Sequence, residues 1–314
     1  MSTAPPNNAT IGILFVLAGV FFISINDMLI KQLSGGYPLH QMVFTRSIIG
    51  IMFSLIFVQM EGGWRILRTN QPGLHVLRGL LIVTSNMTFF VALAAIPLAD
   101  ATALFFAAPL FITLLSTPIL GEKVGPLRLG AVIFGFLGVI IMQRPWEGVD
   151  TLGTSRLILL LPVLAALTYA LNQLLTRKLG VKSKASALAV YIQGTFVFVS
   201  IGFYIIAGDG RFAEGSGNSS VQFLLRAWIW PAQSDFWLFG FLGLASAVIG
   251  YALSQAYRMA DAATVAPFEY IGLPLAVFWG WFIFSELPVW EVWMGIAMIL
   301  ASGVFVYIRE AQKK

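Results

Sequence analysis

Charge is missing from this chain at regular intervals. Apolar stretches long enough to cross a membrane recur from Ile11 to Ile308, and nearly every Lys and Arg falls between them. A hydrocarbon core about 30 Å thick takes roughly 20 predominantly apolar residues per helical crossing. Every backbone amide inside lipid needs an internal partner, so such stretches fold as helices. The expectation is an all-α integral membrane protein, with the lipid bilayer as its first partner. Hydrophobic residues make up 58% of the chain and charged ones 11%, against about 25% charged in soluble domains. The net charge of +5 is scattered over loops, so no nucleic-acid partner is expected. No Cys is present, which rules out disulfides and thiolate chemistry. His40 and His75 are too few for most metal or relay schemes, and neither a metal nor a cofactor is expected.

Ten helices are expected, near 11–33, 38–60, 74–96, 98–120, 126–143, 157–179, 185–207, 235–257, 262–284 and 289–308. Turn residues separate them, as in Gly35-Gly36-Tyr37-Pro38, Gln71-Pro72-Gly73 and Gly125-Pro126. Met1 to Thr10 carries no Lys or Arg, so a removable signal peptide is not expected. Thirteen of the 19 Lys and Arg, Arg78 among them, fall on the side of the N-terminus, five fall opposite, and Arg46 falls in the membrane. The positive-inside rule then puts both termini in the cytoplasm of a bacterial inner-membrane protein.

The halves repeat weakly. Gly79 to Ala101 aligns with Gly240 to Ala262, matching Ser85 with Ser246 and Ala99-Asp100-Ala101 with Ala260-Asp261-Ala262. Gly121-Glu122 corresponds to Ser285-Glu286, and Asn26 with Lys31 to Asn172 with Arg177. Five spans per half make the second insert upside down, an architecture that lets one site face either side by rocking. The expected organisation is a tail 1–10, a first repeat 11–143, an external linker 144–156, a second repeat 157–308 and a tail 309–314. Within the second repeat, the external loop 208–234 is polar at first. It then runs into Trp228, Trp230 and Trp237, a composition suited to lying in the membrane interface. Asn218-Ser219-Ser220 fits the glycosylation pattern, idle in a bacterium.

The stretch Pro109 to Glu122 (PLFITLLSTPILGE), followed by Gly130 to Ile141 (GAVIFGFLGVII), has counterparts in Pro274 to Glu286 and Gly295 to Val306. Together these resemble the drug/metabolite transporter superfamily in its ten-helix form with two EamA domains. The resemblance covers about residues 11–308, with Ser285 standing where that pattern has Gly. It implies a secondary transporter, not an enzyme, for a small polar metabolite. Pro267-Phe268-Glu269-Tyr270 resembles the branch near riboflavin, S-adenosylmethionine and organic-acid permeases, which makes riboflavin or a similar planar, amphoteric solute the candidate. Export of amino acids or organic acids is the alternative within the class; a membrane enzyme or lipid scramblase is the alternative outside it. No GxxxxGK[ST], HExxH or GxSxG occurs, so catalytic residues are not expected. A monomer or homodimer fits equally.

Ionisable groups inside a membrane are expensive and mark function by default. Arg46 and Glu269 each lie about 10–12 Å inside their spans at 1.5 Å per residue. Arg46 offers a fixed positive charge; Glu269 suits a cationic group or a coupling proton. The bland alternative is that the two pair and hold the bundle. Asn26, Asn86, Asn172 and Gln193 add amides at membrane depth, and helix–helix hydrogen bonding accounts for each equally well. Tyr270 is singled out among the aromatics as neighbour to Glu269. Asp27 is expected to pair locally with Lys31, one turn on.

Overall fold

The computed structural model describes residues 9–121, 125–144, 146–147, 155–180, 183–260 and 265–311. Its regular elements are helical: α1 (Ala9–Leu33), α2 (Leu39–Glu61), α3 (Pro72–Leu93), α4 (Leu98–Phe105), α5 (Ala108–Leu120), α6 (Pro126–Met142), α7 (Arg156–Gly180), α8 (Ala185–Ala207), α9 (Ser219–Leu225), α10 (Phe236–Met259), α11 (Gly272–Phe284) and α12 (Trp290–Ala311). Three 3-10 segments, Trp64–Leu67, Gln233–Asp235 and Ala266–Ile271, join them. Among the described residues seven segments are long and apolar enough to cross a membrane, with α4 and α5 counted as one, and three shorter apolar helices accompany them. The protein is a multi-pass membrane protein. Glu122, Asp261 and most of the linker 144–156 lie outside the described residues.

Proline sets two boundaries that differ from expectation. The segments 98–120 and 262–284 are not continuous helices. Pro109 lacks the amide that would bond to Phe105, and its ring would crowd that carbonyl, so the helix breaks between α4 and α5. Pro274 acts likewise on Tyr270, and the chain enters α11 through the 3-10 segment Ala266–Ile271. The two interrupted helices end alike. Gly121 caps α5 in the left-handed conformation at φ 75°, and Ser285 caps α11 at φ 56°, a conformation that glycine adopts freely and serine only at a cost.

Long-range packing makes the bundle. α3 runs along α7, α1 along α10, α2 along α8 and α6 along α12. The last pair meets backbone to backbone: a Cβ on Gly138 would stand 3.0 Å from the Gly295 carbonyl oxygen. Small residues bring helices together where lipid supplies no hydrophobic drive. Outward faces carry Met52, Ile133, Phe198 and Ile205, as lipid contact requires.

The segment 208–237, expected to lie in the membrane interface, packs on the helix bundle. Asn218, in the glycosylation-like triplet, caps α9 by accepting from the Ser220 and Val221 amides. Ser220 donates to the Val91 carbonyl at 2.7 Å, and Tyr37 donates to Asp235 at 2.6 Å. Trp228 packs among His40, Phe44 and Tyr204. Only Trp230, at 85% exposure, and Trp237 project freely.

Candidate binding site

The charged and amide residues at membrane depth converge on one central cavity of about 140 Å³. Arg46, Asn26, Asn86, Asn172, Gln193 and Glu269 all line it. Phe90, Phe105, Phe106 and Phe196 supply aromatic wall.

Arg46 is 4% exposed. Its Nη1 donates to Asn26 Oδ1 at 3.1 Å and its Nη2 to Asn86 Oδ1 at 2.6 Å, on α1 and α3. The guanidinium lies over Phe196 at 5.1 Å and Phe90 at 5.7 Å, a favourable place for a cation away from water. Its Nε is buried and without a partner. Asp27 faces the same cavity and takes a bond from Asn26 Nδ2 at 3.0 Å. The expected Asp27–Lys31 pair is not formed. Lys31 reaches Glu286 at 2.7 Å and the Ile96 carbonyl at 3.2 Å, and Glu286 also accepts from the Leu98 amide. A tertiary partner with a second anchoring bond outcompetes the carboxylate one turn away.

Arg46 and Glu269 line one cavity without forming an ion pair. Glu269, 3% exposed, sits on the 3-10 segment and accepts from two phenols, Tyr169 at 3.1 Å and Tyr257. Tyr169 itself forms part of the wall. A carboxyl held by two hydroxyls and no cation keeps its place whether or not it carries a proton, which suits proton exchange.

Tyr270 does not line the cavity. It packs on Phe106 at 5.7 Å and over Gly303, where a Cβ would collide with its ring. Successive residues of a 3-10 helix point about 120° apart, so the neighbour of a cavity residue faces elsewhere.

Wall residues that escaped the sequence reading include Thr102, Tyr169 and Arg78. Tyr169 carries no periodic signal; only the need of a phenol at membrane depth for a partner marks it. Arg78, expected with the cytoplasmic loop charges, lies inside α3, is 2% exposed and lines the cavity. The cue is Pro72 at the first turn of α3, since Pro at that position starts a helix and puts Arg78 almost two turns in.

The unpartnered polar atoms of the wall are chemically mixed. Arg46 Nε is a donor, Asn172 Oδ1 and Gln193 Oε1 are acceptors, and the Thr102 hydroxyl can be either. Gln193 spends only its Nε2, on Ser246 at 2.8 Å. Buried polar groups rarely go unmatched, and these four include both donors and acceptors.

Comparison with known proteins gives the family and the fold. Residues 10–144 match the EamA-like transporter family. A riboflavin transporter of Rhizobium johnstonii is 33% identical over 98% of this chain and 95% of its own length. An S-adenosylmethionine uptake transporter of Rickettsia prowazekii is 27% identical over 95% of this chain and 93% of its own. A solved crystal structure superposes with a TM-score of 0.69 over 96% of this chain and 98% of that one, at 16% identity, and shares the fold.

Proposed function

From the premise that the chain belongs to the EamA-like transporter family, within the drug/metabolite transporter superfamily, we propose that it is an inner-membrane carrier for riboflavin or a closely similar planar, amphoteric solute. That it transports a small metabolite follows from the family. The substrate rests on the cavity. An isoalloxazine ring offers two carbonyl acceptors flanking an imide N–H, and the wall offers guanidinium donors with amide acceptors. The aromatic wall suits the flat remainder of the ring. The observation that carries this reading is the group of unpartnered donors and acceptors at Arg46, Thr102, Asn172 and Gln193.

Movement follows from the architecture. The seven long and three shorter apolar segments support ten spans in two inverted five-helix repeats, 11–143 and 157–308. Exchanging the halves turns the α1–α10 pairing into the α3–α7 pairing and leaves α2–α8 and α6–α12 unchanged, as a pseudo-two-fold axis in the membrane plane requires. The interrupted helices, α4–α5 and the 3-10 segment with α11, exchange too, and so do their left-handed caps. Rocking of one repeat against the other would open the cavity to each side in turn, with Arg46, Asn26, Asn86, Asn172 and Gln193 binding the solute and Glu269 taking a coupling proton. With Arg78 moved into the membrane, twelve Lys and Arg remain on the N-terminal side against five, which supports both termini in the cytoplasm.

Proteoliposomes preloaded with unlabelled riboflavin test the substrate. Entry of labelled riboflavin by counterflow, not diminished by excess S-adenosylmethionine, is the expected result. Counterflow of an amino acid or organic acid without flavin exchange would transfer the assignment to the exporters.

A further inference from the structure

Arg78 is a second guanidinium in the cavity wall. It has five N–H donors. Nε donates to Thr176 Oγ1 at 2.6 Å, Nη1 to the Leu188 carbonyl at 2.9 Å and Nη2 to Ser254 Oγ at 3.1 Å. These partners stand on α7, α8 and α10, and all three are neutral. Two N–H groups remain, and among the described residues no carboxylate forms an ion pair with it.

A clamp between two hydroxyls and a carbonyl does not need a charge. A neutral amide could bond the same three groups, donating two N–H and accepting from a hydroxyl at its oxygen, without the cost of burying an uncompensated cation. What the guanidinium adds is surplus donor capacity in a fixed fork, and it adds it at the wall of the cavity. Its level is also distinct. Arg46 lies seven residues into α2 and Arg78 six residues into α3, helices that run in opposite directions. At 1.5 Å per residue and a helix length near 33 Å, roughly 13 Å separates the two backbone positions along the helix axes. A solute reaching both must be elongated and must present acceptors at each end.

Building on the flavin reading above, we propose that Arg78 is a specificity-determining binding residue that receives the hydroxyl-bearing ribityl tail of the solute. Arg46, Asn26 and Asn86 then hold the ring end. Tail hydroxyls supply the lone pairs that the two remaining N–H groups of Arg78 need.

Flavin fluorescence titration of the purified chain separates this role from a structural one, with riboflavin and with lumiflavin, which keeps the ring and lacks the tail. Arg78→Gln should weaken riboflavin binding about 10- to 100-fold, the value of a charge-assisted hydrogen bond, and change lumiflavin binding less than about twofold. Arg78→Lys keeps a charge without the fork and should fall between; it also serves if Arg78→Gln does not fold. Equal weakening of both flavins, or of neither, overturns the role of Arg78. If lumiflavin does not bind the wild-type chain, the two variants decide, and equal loss of riboflavin in both overturns it. A wild-type chain that binds neither flavin sinks the flavin reading and this proposal together, whereas wild-type binding with an unshifted ratio sinks this proposal alone.

Discussion

Arg46 and Glu269 are buried ionisable residues on the wall of one cavity, and their surroundings differ in kind. The guanidinium is held by two amide carbonyls on two other helices, roofed by two phenyl rings, and left with a free Nε. The carboxyl is held by two phenol hydroxyls on one oxygen. The first arrangement fixes a charge that cannot be given up and leaves one donor without a partner. The second holds a group whose charge can change while its position does not. On the function proposed above, Arg46 recognises the solute and Glu269 exchanges the proton.

The contrast breaks most readily at Arg46. Arg46→Ala leaves the Asn26 and Asn86 carbonyls without their donor and should cut riboflavin counterflow about 100-fold, at the scale of a buried charged contact. Membrane insertion should be unchanged, and normal counterflow would remove Arg46 from the site. Glu269→Gln preserves an acceptor for Tyr169 and Tyr257 but cannot exchange a proton. Accumulation driven by an imposed pH gradient should disappear, roughly a tenfold loss, while counterflow persists within about threefold. Gradient-driven accumulation in this variant would end the proton role. Tyr257→Phe removes one of the two hydroxyls and should reduce gradient-driven uptake only several-fold, in line with about 1 kcal/mol for a single hydrogen bond. A full loss there would mean that Glu269 depends on one phenol rather than two. Tyr270→Phe changes a ring that faces Gly303, away from the cavity, and should alter riboflavin affinity less than about twofold. A larger change would bring Tyr270 back to the wall.

The residues of the site also measure how far one dimension of information reaches. Arg46 and Glu269 stand out in the chain because a charge within an apolar run is costly wherever the run folds. The amides at 26, 86, 172 and 193 were visible for the same reason, at lower contrast. Tyr270 looked like a neighbour of Glu269 because it is one residue away, yet a three-residue turn points it elsewhere. Asp27 looked like the partner of Lys31 because helices bring such residues together, yet Glu286, 255 residues along the chain, holds that lysine. Arg78 read as a loop charge because it lies near the start of a span, and only the packing of α7, α8 and α10 around it makes it a wall residue.

Solvent preference is a property of residues, so the apolar runs and the rare charges within them by themselves determined a helical membrane protein with polar groups at depth. Which groups meet depends on the rotation of each helix about its axis and on contacts between segments a hundred or more residues apart. Hydropathy averages over both. The cavity, the separate fates of Arg46 and Glu269 and the recruitment of Arg78 were therefore decided only by the tertiary structure.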